Sequence, residues 1–132
     1  MKARIFLLLG MVFLFASCEE ESNDLTDYRD DVVGSYFGIS VYTCWQDTIV
    51  GYSHDTTDVI VNIAKEEEDS LIRLSFYQST SSSFSFKYIN GNCISCITFH
   101  APVLKIQNDS LYFKHQPGLG PYWDECFAKK VE

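Results

Sequence analysis

The chain reads as an all-β protein, a small antiparallel up-and-down barrel of about eight strands, and three observations carry that reading. From residue 33 onward apolar and polar side chains alternate at period two, and no helical window competes with the pattern. These runs recur about every twelve residues, the spacing of a meander that closes on itself. Asn90-Gly91 is the dipeptide of a type I′ hairpin turn. A β-sandwich is the alternative. The 132 residues allow a single domain, and with 46% hydrophobic against 21% charged residues the chain can bury enough apolar surface to fold. A net charge of -8 argues against nucleic acid as a partner, because phosphate binding needs clustered Lys and Arg.

The first strand spans 33–45, with Phe37, Ile39 and Val41 on one face and Gly34 and Gly38 marking a bend or bulge. A loop follows over 46–56. The second strand, 57–65, alternates Val59, Val61 and Ile63 against polar residues. An acidic turn over 66–69 joins it to the third, 70–78, with Ile72, Leu74 and Phe76 on one face. A serine-rich turn over 79–83 leads to the fourth strand, 84–88, and Asn90-Gly91 joins that to a fifth, 93–100. Ala101-Pro102 interrupts. The sixth and seventh strands, 103–106 and 111–115, flank the turn Gln107-Asn108-Asp109-Ser110, and the last strand runs over about 122–131.

The N-terminus differs in kind from the strand-forming region. Met1-Lys2-Ala3-Arg4 carries two cations, and Ile5 to Ala16 is apolar apart from Gly10. About twelve helical residues span about 18 Å, too short for a bilayer core of about 30 Å, so residues 1–17 read as a signal peptide. Phe15-Ala16-Ser17-Cys18 resembles the bacterial lipobox, which implies cleavage before Cys18 and acylation of its thiol, with membrane lipid as the partner of the anchored end. Residues 18–31 read as an acidic flexible tether, in which seven carboxylates between Glu19 and Asp31 face the single cation Arg29. That acidic stretch is similar to the export signal with which Bacteroidota lipoproteins reach the outer face of the outer membrane. The expected location is therefore an outer-membrane lipoprotein exposed at the cell surface, with a periplasm-facing spacer as the alternative.

With Gly34-Ser35-Tyr36 opening the first strand, the barrel domain at 32–132 resembles the small calycin-like lipoproteins of Bacteroidota, with Tyr36 where lipocalins carry tryptophan. The resemblance implies a barrel open at one end. Eight strands enclose an interior that is either filled by side chains or holds one small ligand.

Four cysteines remain beyond the anchor, and in an exported domain they read as two disulfides. Cys44 on the first strand and Cys126 on the last lie on neighbours of a closed barrel, which makes a Cys44–Cys126 staple one expectation. Cys93 and Cys96 would lie about 10 Å apart on opposite faces of a regular strand, so either the segment bulges or the bonds cross to Cys44 and Cys126. A thiol-redox role for Cys93-Ile94-Ser95-Cys96 lacks the helix N-terminus that stabilises a thiolate. No metal or cofactor is expected: zinc on the four cysteines, with or without His100, competes with disulfides in an oxidising compartment, and His54-Asp55-Thr56-Thr57-Asp58 reads as a solvated loop rather than a cation site.

His100 and His115 each end a strand without a nucleophile the sequence pairs with them, so no catalytic residue is assigned and no enzyme is expected. The segment HQPGLGPY at 115–122 carries two prolines and two glycines, which fix a shape. Tyr122 and Trp123 close it, and with Trp45 and Tyr42 across the strand closure they form the candidate ligand site for a small apolar molecule, a glycan or a protein. Tyr42-Thr43-Cys44 resembles the Tyr-x-Cys opening of bacterial c-type lysozyme inhibitors, although the Ser-Gly-Ala segment of that family is missing. The readings are thus a non-enzymatic binding module first, a protein-facing inhibitor or structural envelope component second, and a thiol-redox protein last. Four triplets, at Thr48, Thr56, Ser70 and Ser110, resemble the Asp-Ser/Thr acceptor of Bacteroidota O-glycosylation, all at expected turns or loops.

Overall fold

A computed structural model describes residues 27–77, 82–98 and 100–132. The expected signal peptide at 1–17, the expected acylation site Cys18 and the expected tether up to residue 26 lie outside the described residues, as does most of the serine-rich turn. Eight antiparallel strands succeed one another as β1 (Gly34–Asp47), β2 (Gly51–Lys65), β3 (Leu71–Phe76), β4 (Ser83–Ile89), β5 (Asn92–Ser95), β6 (Val103–Gln107), β7 (Ser110–His115) and β8 (Tyr122–Lys130). They form one sheet in the order β5-β4-β3-β2-β1-β8-β7-β6. β1 pairs with both β2 and β8, so the first and last strands close the barrel, and β5 lies beside β6 without joining its ladder. The result is a nearly closed barrel with one seam.

Both halves of the hairpin chemistry are visible in the backbone. Asn90 and Gly91 have φ of 51° and 79°, the two positive values a type I′ turn requires, and Asn108 and Asp109 repeat the pattern at 48° and 61°. The first hairpin corrects the expected loop at 46–56. Asp47 Oδ1 accepts the amides of Ile49 and Val50 at 2.8 and 2.7 Å, turning the chain within three residues, and β2 is already paired from Gly51. Ser53 to Thr56 are polar because they extend beyond the core, yet their backbone stays in the ladder. The fifth strand is shorter than expected. It ends at Ser95, whose hydroxyl accepts the Ile97 amide at 3.1 Å, and the chain then bends, reaching a positive φ of 51° at His100.

Inward-facing residues of the lower half fill the barrel. Tyr36, Val61, Ile72, Leu74 and Phe86 are fully buried, with Leu104, Leu111, Phe113, Cys126 and Ala128 opposite. On β1 the apolar alternation marks the outer wall: Phe37 and Ile39 are exposed, and Tyr36 takes the interior, donating its hydroxyl to the Val32 carbonyl at 2.8 Å. Burial pushes the Tyr36 phenol up to about 12.

Residues 27–31, expected to belong to a flexible tether, are docked through Arg29 while Tyr28, Asp30 and Asp31 stay exposed. Residues 27–33 turn under the barrel and close its floor, where Arg29, 7% exposed, donates to the carbonyls of Glu66, Glu68 and Leu71 at 3.2, 2.9 and 3.0 Å. Its remaining donors grip Asp27, and these bonds hold the Asp27 carboxyl well below the usual range. Lys65 bridges Asp27 and Asp30, and Tyr28 stacks on Tyr88 at 5.9 Å. The single cation of an acidic run thus gathers three carbonyls of the β2–β3 turn, adding a charged donor to Glu68 and Leu71 oxygens that also accept backbone amides.

Candidate functional site

β1 runs from floor to rim and β8 from rim to floor, so the end of β1 and the start of β8 meet at the rim opposite the docked N-terminal segment. Period-two alternation divides the four expected site residues between two faces. Trp45 and Trp123 project from the outer wall, and Tyr42 and Tyr122 from the inner, their rings 6.5 Å apart.

Tyr52 of β2, which sequence reasoning placed in a loop, joins the outer pair. It meets Trp45 edge-on at 5.0 Å and Trp123 at 5.3 Å, and thereby links three strands through one aromatic cluster. Its signal in the sequence was the Asp47 turn followed by Gly51, which fixes the pairing of Trp45 with Tyr52. Glu125 organises the base of the cluster, accepting from Trp123 Nε1 at 3.1 Å and the Tyr112 hydroxyl at 2.8 Å, with Lys114 Nζ at 3.4 Å. Burial opposes its charge, but these three partners outweigh burial and hold its pKa below the ordinary glutamate value. Lys114 also lies 5.1 Å over the Trp123 ring. Beneath the aromatics Thr43, 2% exposed, shares a 2.9 Å hydrogen bond with His54 Nδ1. Trp45 is 38% and Tyr52 48% exposed.

Two loops frame the cluster. The β1–β2 turn lifts Ile49 and Val50 into solvent, and the 116–121 loop presents Leu119, Ile49 and Leu119 being 93% and 90% exposed. As its prolines and glycines implied, this loop has a fixed shape: the Gln116 amide donates to the Gly120 carbonyl at 3.0 Å, Gly118 has φ of 93°, and the Tyr122 ring covers Gly120 where a Cβ would stand. The Trp45 amide binds the Pro121 carbonyl at 2.9 Å and ties the loop to β1.

The inner rim is polar. Tyr42, Asp124 and His115 succeed one another in register across β1, β8 and β7, with Cys44 two residues further along β1, above an aromatic layer of Phe76, Phe84 and Phe113, with Phe84 4.9 Å from the His115 ring. Burial raises the Asp124 pKa against the pull of His115, and burial lowers the His115 pKa against the pull of Asp124. The neighbouring Cys44 thiol, more than partial burial, raises the Tyr42 phenol.

All four cysteines of the barrel are free thiols in this structure. The staple expected between Cys44 and Cys126 is not favoured by the register: Cys44 pairs with Tyr122 and Cys126 with Ser40, four residues and about 13 Å apart along the ladder. Cys93 points into the core and Cys96 out of the barrel. Burial pushes the Cys93 and Cys126 thiols up to about 11, the opposite of what a redox thiol needs. Among the described residues no cluster of three or more His, Cys, Asp or Glu could hold a metal ion, since β2 alternates His54 and Asp58 against Asp55. Of the candidate acceptor sites, Thr48 lies in the β1–β2 turn and Ser70 in the β2–β3 turn, Ser110 begins β7, and Thr56 lies within β2 rather than in a loop. No known family model, curated protein or solved structure matches this chain.

Proposed function

We propose that the protein is an exported, membrane-anchored, non-enzymatic binding module that captures a protein partner at its rim, its acylated Cys18 holding it to the outer membrane. The observation that carries this reading is the Trp45–Tyr52–Trp123 cluster, built from three strands and flanked by the solvent-exposed apolar tips Ile49, Val50 and Leu119. Trp and Tyr held rigidly beside exposed apolar side chains are the anchors on which protein interfaces spend most of their binding energy. The filled lower barrel supports action through the surface, and the rim faces away from the end at which the tether joins, so an anchored molecule presents it outward. The same surface serves the narrower reading of a protein-facing inhibitor, since Tyr42-Thr43-Cys44 ends at this rim. The raised thiol pKa values weigh against thiol-redox chemistry.

The test is to purify the partner with the tethered protein from its own envelope and titrate it against Trp123→Ala and Trp45→Ala. Binding weakened about thirtyfold or more, with circular dichroism unchanged, supports the site. Equal binding by the variants removes it. Binding to a saccharide array that competes with the protein partner would reassign the cluster to glycans, and inhibition of c-type lysozyme lost in the same variants would select the inhibitor reading.

A further inference from the structure

A second exposed surface lies on the outer wall at the opposite end, where β1, β8, β7 and β6 descend to the floor. Phe37 and Phe127 are 53% and 48% exposed there, Ile39 is exposed beside them, and Tyr112 lies 5.2 Å from the Phe127 ring. These residues line an open groove of about 920 Å³ whose cationic members are Lys105 and Lys129. In a chain with 18 Asp and Glu residues, no carboxylate lines the groove. Lys105 and Lys129 make no ion pair with any described residue, whereas Arg29, Lys65, Arg73 and Lys114 all do. The lining itself is thus cationic and apolar, while Asp58, paired with Ile39 on β2, and Asp109, between Asn108 and Ser110, stand at its margins.

We infer that this wall rests on an anionic phospholipid surface, with headgroup phosphates at Lys105 and Lys129 and with Phe37, Ile39 and Phe127 at the headgroup–acyl boundary. Two observations select that occupant. The charge of the groove is the reverse of the protein's own and complements an anionic membrane. The groove also lies at the end where the chain leaves the described residues at Asp27, nine positions after Cys18, and nine residues reach about 30 Å at most. The inference rests on the anchored reading above for its place in the cell, because an acyl chain at Cys18 would hold this wall beside a bilayer, while the wall's own affinity for anionic lipid is tested apart from the anchor. Aromatic and aliphatic side chains at interfacial depth, flanked by lysines that extend toward phosphate, are the pattern by which peripheral proteins lie on membranes.

The acylated protein is reconstituted into vesicles of phosphatidylcholine alone and of phosphatidylcholine with about a third phosphatidylglycerol, and the lysines are labelled with an amine-reactive reagent and read by mass spectrometry. The expected result is labelling of Lys105 and Lys129 about fivefold slower on the anionic vesicles, with Lys87 on the opposite wall unchanged. The double variant Ile39→Glu, Phe127→Glu, checked for fold by circular dichroism, loses that protection. Equal labelling on both vesicles overturns the inference. Flotation with the neutral vesicles separately reports the anchor. If the protein fails to float there but floats with anionic vesicles, and Lys105→Glu with Lys129→Glu abolishes this, the wall is supported and the anchor reading fails. Flotation with neither removes both.

Discussion

Asp124 illustrates what a single side chain contributes when its neighbourhood is set by the sheet. It sits on the inner rim opposite Tyr42 and His115, and burial makes its charge costly, so the folded protein holds the proton more tightly than the unfolded chain does. The native state then binds more protons from about pH 4 upward, and the stability available to the protonated form is lost as pH rises through the folded pKa. Asp124→Asn is therefore expected to stabilise the protein at pH 7 by on the order of 1 kcal/mol in urea denaturation, and to give no gain below about pH 3.5 where both carboxyl states are neutral. His115 works in the other direction: its lowered pKa means that stability falls as pH drops below about 6.5, because the unfolded chain takes up the proton first. The aromatic residues of the rim were legible in the sequence as types, Trp45 and Trp123 above all. Their division from Tyr42 and Tyr122 was not, because one residue of register decides the face. Glu125 was also out of reach, since its three partners come from β7 and β8 and meet only after pairing.

Among the elements, β1 and β8 show most directly why the barrel needs its glycines. A Cβ at Gly38 would stand 1.9 Å from the Phe127 carbonyl oxygen and 2.5 Å from the Ala128 Cα, both backbone atoms of β8 that cannot turn aside. Gly91 has open space around it and needs only its φ of 79°. Two alanine substitutions separate these causes. Gly38→Ala is expected to cost about 3 kcal/mol and to open the β1–β8 ladder, seen as faster amide exchange at both strands. Gly91→Ala is expected to cost about 1 kcal/mol with exchange raised only in the β4–β5 hairpin. The sequence marked Asn90-Gly91 as a turn because backbone chemistry is local, whereas the bend or bulge expected at Gly38 is regular ladder on both sides, the glycine being required by the close approach of β8. It misjudged the start of β2 and the end of β5 for the complementary reason. Polar residues 51–56 are held in a strand by their partner β1, and apolar residues beyond Ser95 leave the strand because no ladder receives them on the seam side.

On the scale of the whole molecule, the barrel is a wall with a floor, and the floor comes from the far end of the chain. The acidic composition of 18–31 pointed to a solvated tether, while the one arginine in it was the signal that part of the segment docks. Arg29→Ala is expected to raise amide exchange at Val32 and Val33 at least tenfold while Val61 and Leu74 stay protected, which hydrogen exchange by mass spectrometry resolves. Low pH should act in the same direction, because the depressed pKa of Asp27 contributes stability that is present above about pH 4 and is lost as pH falls toward its folded value. The floor also sets a timetable. Arg29 takes its carbonyls from a turn some forty residues on, and the Asp31 carbonyl accepts the Lys130 ammonium 99 positions away, so the first bonds wait for β2 and β3 and the second for β8. Such distant closures carry the largest loop entropy and come late in folding. The segment is thus seated in two stages, Arg29 once the β2–β3 turn is made and Asp31 only when β8 arrives, so a molecule lacking its final strand would keep the Arg29 grip and lose the Lys130 latch.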